Sequence, residues 1–325
     1  MMKTLRSSRA GYKLSCMAVS RAQFPALMLL LVIAVSCSSD RKTSTADTAA
    51  VVPPKPASET AFPVNTGWDE NEAGPVMLLA SPDNSQIASV VVPTLTDSAL
   101  ANTRGLNADS LSGMSFELFA RSGISGSGRL SKRAESTTVE CLAWPSMTLE
   151  LENQHVWQVG LRRGMATSVP LDSVESFSAA DSALVTTELA RLASALPVSN
   201  NPAFQGLPFA VRKAYRASFE RTSLLIGDIV RKINEEANPR EEHLLLIAER
   251  SSSNPHYQTV FESRAAGSED LVRTSDIMAA IRFVNGGRAA VIVSFEYENG
   301  SRVAIIERTA PFQWKQTWLS AYSGC

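Results

Sequence analysis

Strand-type patterning dominates roughly the last eighty residues: residues 244–250, 257–264, 277–284, 289–297, 302–308 and 312–322 are apolar runs rich in β-branched and aromatic residues. Asn285-Gly286-Gly287 and Glu298-Asn299-Gly300 read as tight turns between them, because Asn and Gly accept positive φ at little cost. Connections this short make neighbours antiparallel, so a meander is expected. Upstream, 76–80 and 86–92 read as strands joined by a turn at 81–85. Residues 114–120 and 139–144 are again strand-like, with Ser122 to Gly128 between them as a flexible loop. Residues 156–161 and 165–169 suggest a hairpin around Arg162-Arg163-Gly164.

Helical spacing is clearest from Ala179 to Leu196, where Ser178 can cap the start and Pro197 the end. Leu184, Val185, Leu189, Leu192 and Leu196 would line its apolar face. Leu225, Ile226, Ile229, Val230 and Ile233 recur at the same spacing and predict a second helix over 223–236. Residues 93–113 and 208–220 are left open. The expected fold class is α+β: mainly antiparallel sheet, its C-terminal meander packed on one or two helices.

The N-terminus is patterned differently. Leu27 to Val35 reads LMLLLVIAV, preceded by Lys3, Arg6, Arg9, Lys13 and Arg21 and by no acid. Spanning a bilayer takes about 20 apolar residues, so this shorter run fits the apolar core of a signal peptide. Met17 offers an internal start of more usual proportions. The run ends in Ala34-Val35-Ser36-Cys37, which resembles the lipobox of bacterial lipoproteins, with Ala34 where Leu is commonest. The resemblance implies cleavage before Cys37 and acylation of it (diacylglycerol and an amide-linked chain such as palmitate), anchoring the chain to a bilayer without spanning it. Ser38 and Ser39 in place of Asp point by analogy to the outer membrane, with the body facing the periplasm.

The expected organisation is a signal peptide over 1–36, the lipidated Cys and a flexible tether over 37–65, and an extracytoplasmic body over 66–325. That body would consist of one unit or of two subdomains, 66–170 and 171–325. The tether is rich in Ser, Thr, Ala and Pro and buries too little apolar surface to fold. As a coil it spans about 30 Å.

Charge matters once the signal is removed. The whole chain carries 31 basic and 32 acidic groups; losing the five basic residues of 1–36 leaves 26 against 32, a net of −6. Such a body does not seek phosphate, so no nucleic-acid partner is expected. Of the four cysteines, Cys16 goes with the signal and Cys37 with the lipid, leaving Cys141 and Cys325. In an oxidising compartment these two read as a disulfide.

Candidate chemistry is sparse. Glu241 and His243 alternate onto one side of a strand and read as a solvated strand entry, with a weak metal or acid/base pair as the competing use. The acids of 235–242 lack the ligand spacing of a calcium loop. Gly123-Ile124-Ser125-Gly126-Ser127 has Ser where the nucleophile elbow needs its last Gly, and reads as linker. No metal, cofactor or catalytic residue is assigned. Phe312, Trp314, Trp318 and Tyr322 fall on one side of a strand, near Phe295 and Tyr297. This makes Trp314, Trp318 and Tyr322 a candidate binding surface, with core packing as the competing use. The expectation is a lipid-anchored, non-catalytic binding or assembly module for a protein or envelope polymer. The alternative is a periplasmic hydrolase built on carboxylates or an unrecognised serine. Thiol titration of denatured, unreduced protein is expected to find neither Cys141 nor Cys325 reactive; two reactive thiols would exclude the bridge.

Overall fold

The computed structural model describes residues 74–83, 85–93, 111–133, 144–153, 156–197 and 201–324. Strands β1 (Met77–Ala80), β2 (Ile87–Val91), β3 (Ser115–Ala120), β4 (Gly123–Arg133), β5 (Ser146–Leu151) and β6 (Val159–Arg162) close into an antiparallel barrel of order β1-β2-β5-β4-β3-β6. Leu78, Phe116, Leu118, Leu130 and Met147 fill it, and closure leaves none of the unpaired edges that invite aggregation. The chain then runs through β7 (Ala166–Ser168), β8 (Asp172–Ser173) and helix α1 (Ala179–Ala195). Next come β9 (Ala210–Phe219), β10 (Thr222–Ile233), β11 (Arg240–Ser251) and β12 (Asn254–Ser268). The last strands are β13 (Thr274–Phe283), β14 (Ala289–Tyr297), β15 (Gly300–Ala310), β16 (Gln313–Leu319) and β17 (Ser323–Gly324).

These later strands make two antiparallel sheets. The outer sheet has the order β12-β11-β10-β9-β8; the middle sheet has the order β16-β15-β14-β13-β7, with β17 beside β15. The middle sheet contains the meander that the turn signals predict, whereas the expected strands at 244–250 and 257–264 fall in the outer sheet, so the single expected meander is divided between two layers. In the middle sheet, Val291, Val293, Ala304 and Ile306 pack against the outer sheet. Their alternates Ala290, Ile292, Val303 and Ile305 pack against the barrel wall at Met77, Phe119 and Leu161. Helix α1 covers the far side of the outer sheet, burying Val185, Leu189 and Leu192 against Leu225, Ile229 and Leu244. The layers therefore run barrel, middle sheet, outer sheet, helix.

This corrects the expected α+β class: the described residues are mostly β, and α1 is the one α-helix among them. The C-terminal meander β13–β16 packs on the barrel and on the outer sheet, while the helix touches only the latter. Of the helix expected over 223–236, residues 223–233 are strand β10 and 234–236 lie beyond its end. Both faces of β10 are buried, so its apolar residues form a continuous run whose spacing mimics a helix. Gly227 within it admits α1, because a Cβ there would lie 3.1 Å from both Leu189 methyl carbons.

The serine- and glycine-rich stretch expected as a loop is the start of β4. At Gly128 a Cβ would come within 3.0 Å of the Glu150 carbonyl oxygen, so the residue serves close strand approach. The expected hairpin over 156–169 does not form. Strand β6 pairs with β1 and β3 in the barrel, whereas β7 pairs with β13, so the turn at Gly164 is a crossing between layers. Helix α1 starts at its predicted cap, Ser178, whose hydroxyl accepts from the Asp181 N–H at 3.1 Å. Leu184, expected on its apolar face, is 69% exposed. Of the expected strand 139–144, residues 139–143 lie outside the described residues.

Candidate functional site

On the outer sheet, even-numbered positions of β10 and odd-numbered positions of β11 face the middle sheet, and two charged clusters are buried there. At one end Glu249 on β11 is fully buried. Arg308 on β15 donates to it from Nη2 at 2.6 Å and from Nε at 3.0 Å. Trp314 Nε1 donates at 2.8 Å and the Phe312 backbone N–H at 3.3 Å. Burial pushes the Glu249 carboxyl up, but the bonds from Arg308 and Trp314 outweigh it and hold it below the usual carboxylate range. Chemically this is a clamp between two sheets, with every donor already committed.

At the other end, Glu241 and His243 do share a face, as alternation requires, and His243 Nε2 lies 2.5 Å from Glu241 Oε2. They are not a solvated strand entry: His243 is 2% exposed and Glu241 6%. Arg212 Nη1 lies 3.2 Å from His243 Nδ1. A guanidinium only donates, so Nδ1 accepts and the ring proton sits on Nε2, facing Glu241. Asp228 closes the cluster at 3.8 Å from both His243 and Arg212, with no hydrogen bond to either carboxylate oxygen. Burial raises the Glu241 carboxyl, yet bonds from Lys232 and His243 leave it below its usual range. Both ring nitrogens are engaged, so His243 is held within the cluster while Asp228 is left without a hydrogen bond. Among the described residues no group of three or more His, Cys, Asp or Glu is arranged to hold a metal ion.

The candidate aromatic surface divides. Trp314 is buried between middle and outer sheets. A bulge between the Ile305 and Ile306 pairings of β15 with β16 reverses the alternation. Trp318 therefore packs with the barrel-side cluster instead, and the four aromatics do not share one side. Tyr322 stacks edge-on against Tyr297 at 5.9 Å. Cys37, Cys141 and Cys325 lie outside the described residues; Trp144, three residues after Cys141, donates its backbone N–H to Ser323 Oγ at 3.1 Å.

Accessible surface relief lies elsewhere, at the rim of the barrel. Two clefts of about 560 and 500 Å³ share Val156 and Gln158. One reaches the β1–β2 turn and Met278, the other the β3–β4 turn and Asp172. Val156 stands between them 85% exposed, and its carbonyl accepts from Ser125 Oγ at 2.6 Å. The floor is braced by Arg121, whose Nε donates to the Ile277 carbonyl and whose Nη2 donates to Asp276, both at 2.6 Å. Asp276 also accepts from Lys213 at 2.6 Å, so one carboxylate ties barrel, middle sheet and outer sheet together. No sequence motif marks these residues; they meet only because the chain crosses between layers there.

Replacing Glu249 by Gln is expected to cost about 3 kcal/mol at neutral pH, the scale for breaking a buried pair. Because the native carboxyl titrates below its unfolded value, that contribution is present above the ordinary glutamate range and lost as pH falls through the native one. Urea unfolding between pH 7 and 3 should thus show the gap between native chain and E249Q narrowing with acid; a pH-independent gap would contradict the clamp. Comparison with protein-family models, curated proteins and solved structures finds no match for this chain.

Proposed function

We propose that the chain is a membrane-anchored lipoprotein of the cell envelope, held by acylated Cys37, whose body is a non-catalytic binding module for a partner protein. The observation that carries the binding role is Val156, an apolar side chain 85% exposed on a ridge between two clefts. Apolar contact at the centre with a polar rim is the ordinary composition of a protein interface. Here the rim is supplied by Ser81, Asp83, Ser122 and Asp172. An envelope polymer of sugars would favour an exposed aromatic face. Trp157, the ring lining the larger of these clefts, is buried and donates Nε1 to the Ser85 carbonyl at 3.0 Å. Ser125 Oγ hydrogen-bonds the Val156 carbonyl, which restrains the backbone at the ridge and reduces the ordering entropy lost on binding. The tether lets the anchored body search for its partner, and the acyl chains supply the membrane affinity that a net charge of −6 does not.

Affinity purification from gently solubilised membranes should recover a stoichiometric partner with the native chain, and lose it with Val156→Asp or Cys37→Ser. Thermal stability of V156D should be unchanged. A solitary protein from native membranes, or a partner retained by V156D, would contradict the proposal.

A further inference from the structure

The helix-covered face of the outer sheet carries a third cavity, distant in sequence from the ridge at Val156. Its volume is about 340 Å³, within the usual range for small-molecule sites. The C-terminal end of α1 supplies Leu196, the following loop supplies Leu207 and Phe209, and strands β10 and β12 supply Arg231 and Arg264. Register explains the pairing of cations. Arg231 lies opposite Glu242 across β10 and β11, and Leu244, two residues further on, lies opposite Arg264 across β11 and β12. All four therefore stand on one face.

Arg231 is the unusual residue. It is 7% exposed, and its Nε donates to the buried Glu242 at 2.5 Å. Its guanidinium lies 4.7 Å from the Phe209 ring centroid. The Nε bond neutralises Glu242, yet the two Nη groups have no acceptor among the described residues and the side chain lines the cavity. No Arg231 nitrogen is a buried donor without a partner, so the Nη edge reaches solvent at the cavity wall and is available to an acceptor that enters. The edge offers two parallel N–H donors, the geometry that a planar carboxylate matches bidentately. Arg264 is the second cation; its partner Glu262 lies 3.2 Å away and is 38% exposed, solvated enough to give the arginine up. Leu196, Leu207 and Phe209 give the cavity an apolar wall, with the polar Ser194 and Gln205 beside it.

We infer that this cavity is a binding site for a small carboxylate carrying a short apolar body, its anion on the Nη edge of Arg231 and its apolar part against Leu207 and Leu196. The anion and the apolar part are both required. A bare anion leaves the apolar wall wet, and an uncharged chain leaves the guanidinium edge unpaired.

The test uses the chain from Ser38 onward, which lacks both the apolar run of 27–35 and the acylated Cys37 and so needs no detergent to compete for the site. Octanoate, acetate, octanol and inorganic phosphate are titrated by calorimetry. Saturable one-to-one binding of octanoate is expected, with acetate, octanol and phosphate each at least tenfold weaker. Arg231→Lys keeps the charge opposite Glu242 but removes the fork, and should weaken octanoate at least tenfold. Leu207→Trp, on the loop and away from Glu242, fills the cavity and should abolish binding without loss of thermal stability. Failure of octanoate to bind, equal binding by L207W, or phosphate binding as tightly as octanoate would each overturn the inference.

Discussion

A β-sheet that is apolar on both faces cannot stand alone, and the middle sheet of this protein is such a sheet. Seven consecutive residues of β14, from Ala289 to Phe295, are buried. Their alternates feed two separate cores, one shared with the barrel and one with the outer sheet. Each core requires the other layer to be present, so barrel and outer sheet are stabilised through a wall they hold in common. Charged groups then fix how the layers sit. Glu249 is fully buried and its four hydrogen bonds come from the middle sheet, so a slipped packing would strand a carboxylate in the core. Asp276 does the same for three layers at once, from a less buried position where each bond is worth less.

The legibility of the sequence follows from burial. Where a strand keeps one wet face or ends in a strong turn, its pattern is readable: β13 to β16 and the turns at Asn285 and Asn299 were all legible. Helix α1 was readable because only one of its faces is buried and Ser178 caps it. Strand β10 was not, because a strand enclosed between a helix and a sheet loses the alternation that distinguishes it. Strand β4 was hidden by its glycines, which serve close packing rather than flexibility. One bulge in β16 sends Trp314 and Trp318 to opposite faces, and no periodicity argument can place a bulge. The pairing of Glu241 with His243 was visible from alternation, but their burial depends on the sheet lying over them.

Function follows the same division. The proposed anchor and tether rest on local sequence patterns alone. The ridge at Val156 and the cavity at Arg231 are products of topology, formed where the chain passes from one layer to another or from helix to sheet. A stack braced in this way presents these surfaces where its layers meet. That suits recognition by preorganisation, since a rigid site spends little of its binding energy on ordering itself.

Amide hydrogen exchange on the full chain, read by mass spectrometry, tests the shared wall most directly. Peptides from β1 and β6 of the barrel, β14 of the middle sheet, and β10 and β11 of the outer sheet should exchange through one common opening of the same free energy. Ile292→Ala, which truncates a side chain on the barrel face, should lower that free energy by about 2–5 kcal/mol in all three layers together. If the barrel peptides exchange independently, or if I292A loosens the barrel while β10 and β11 keep their protection, the layers are separate folding units and the account is wrong.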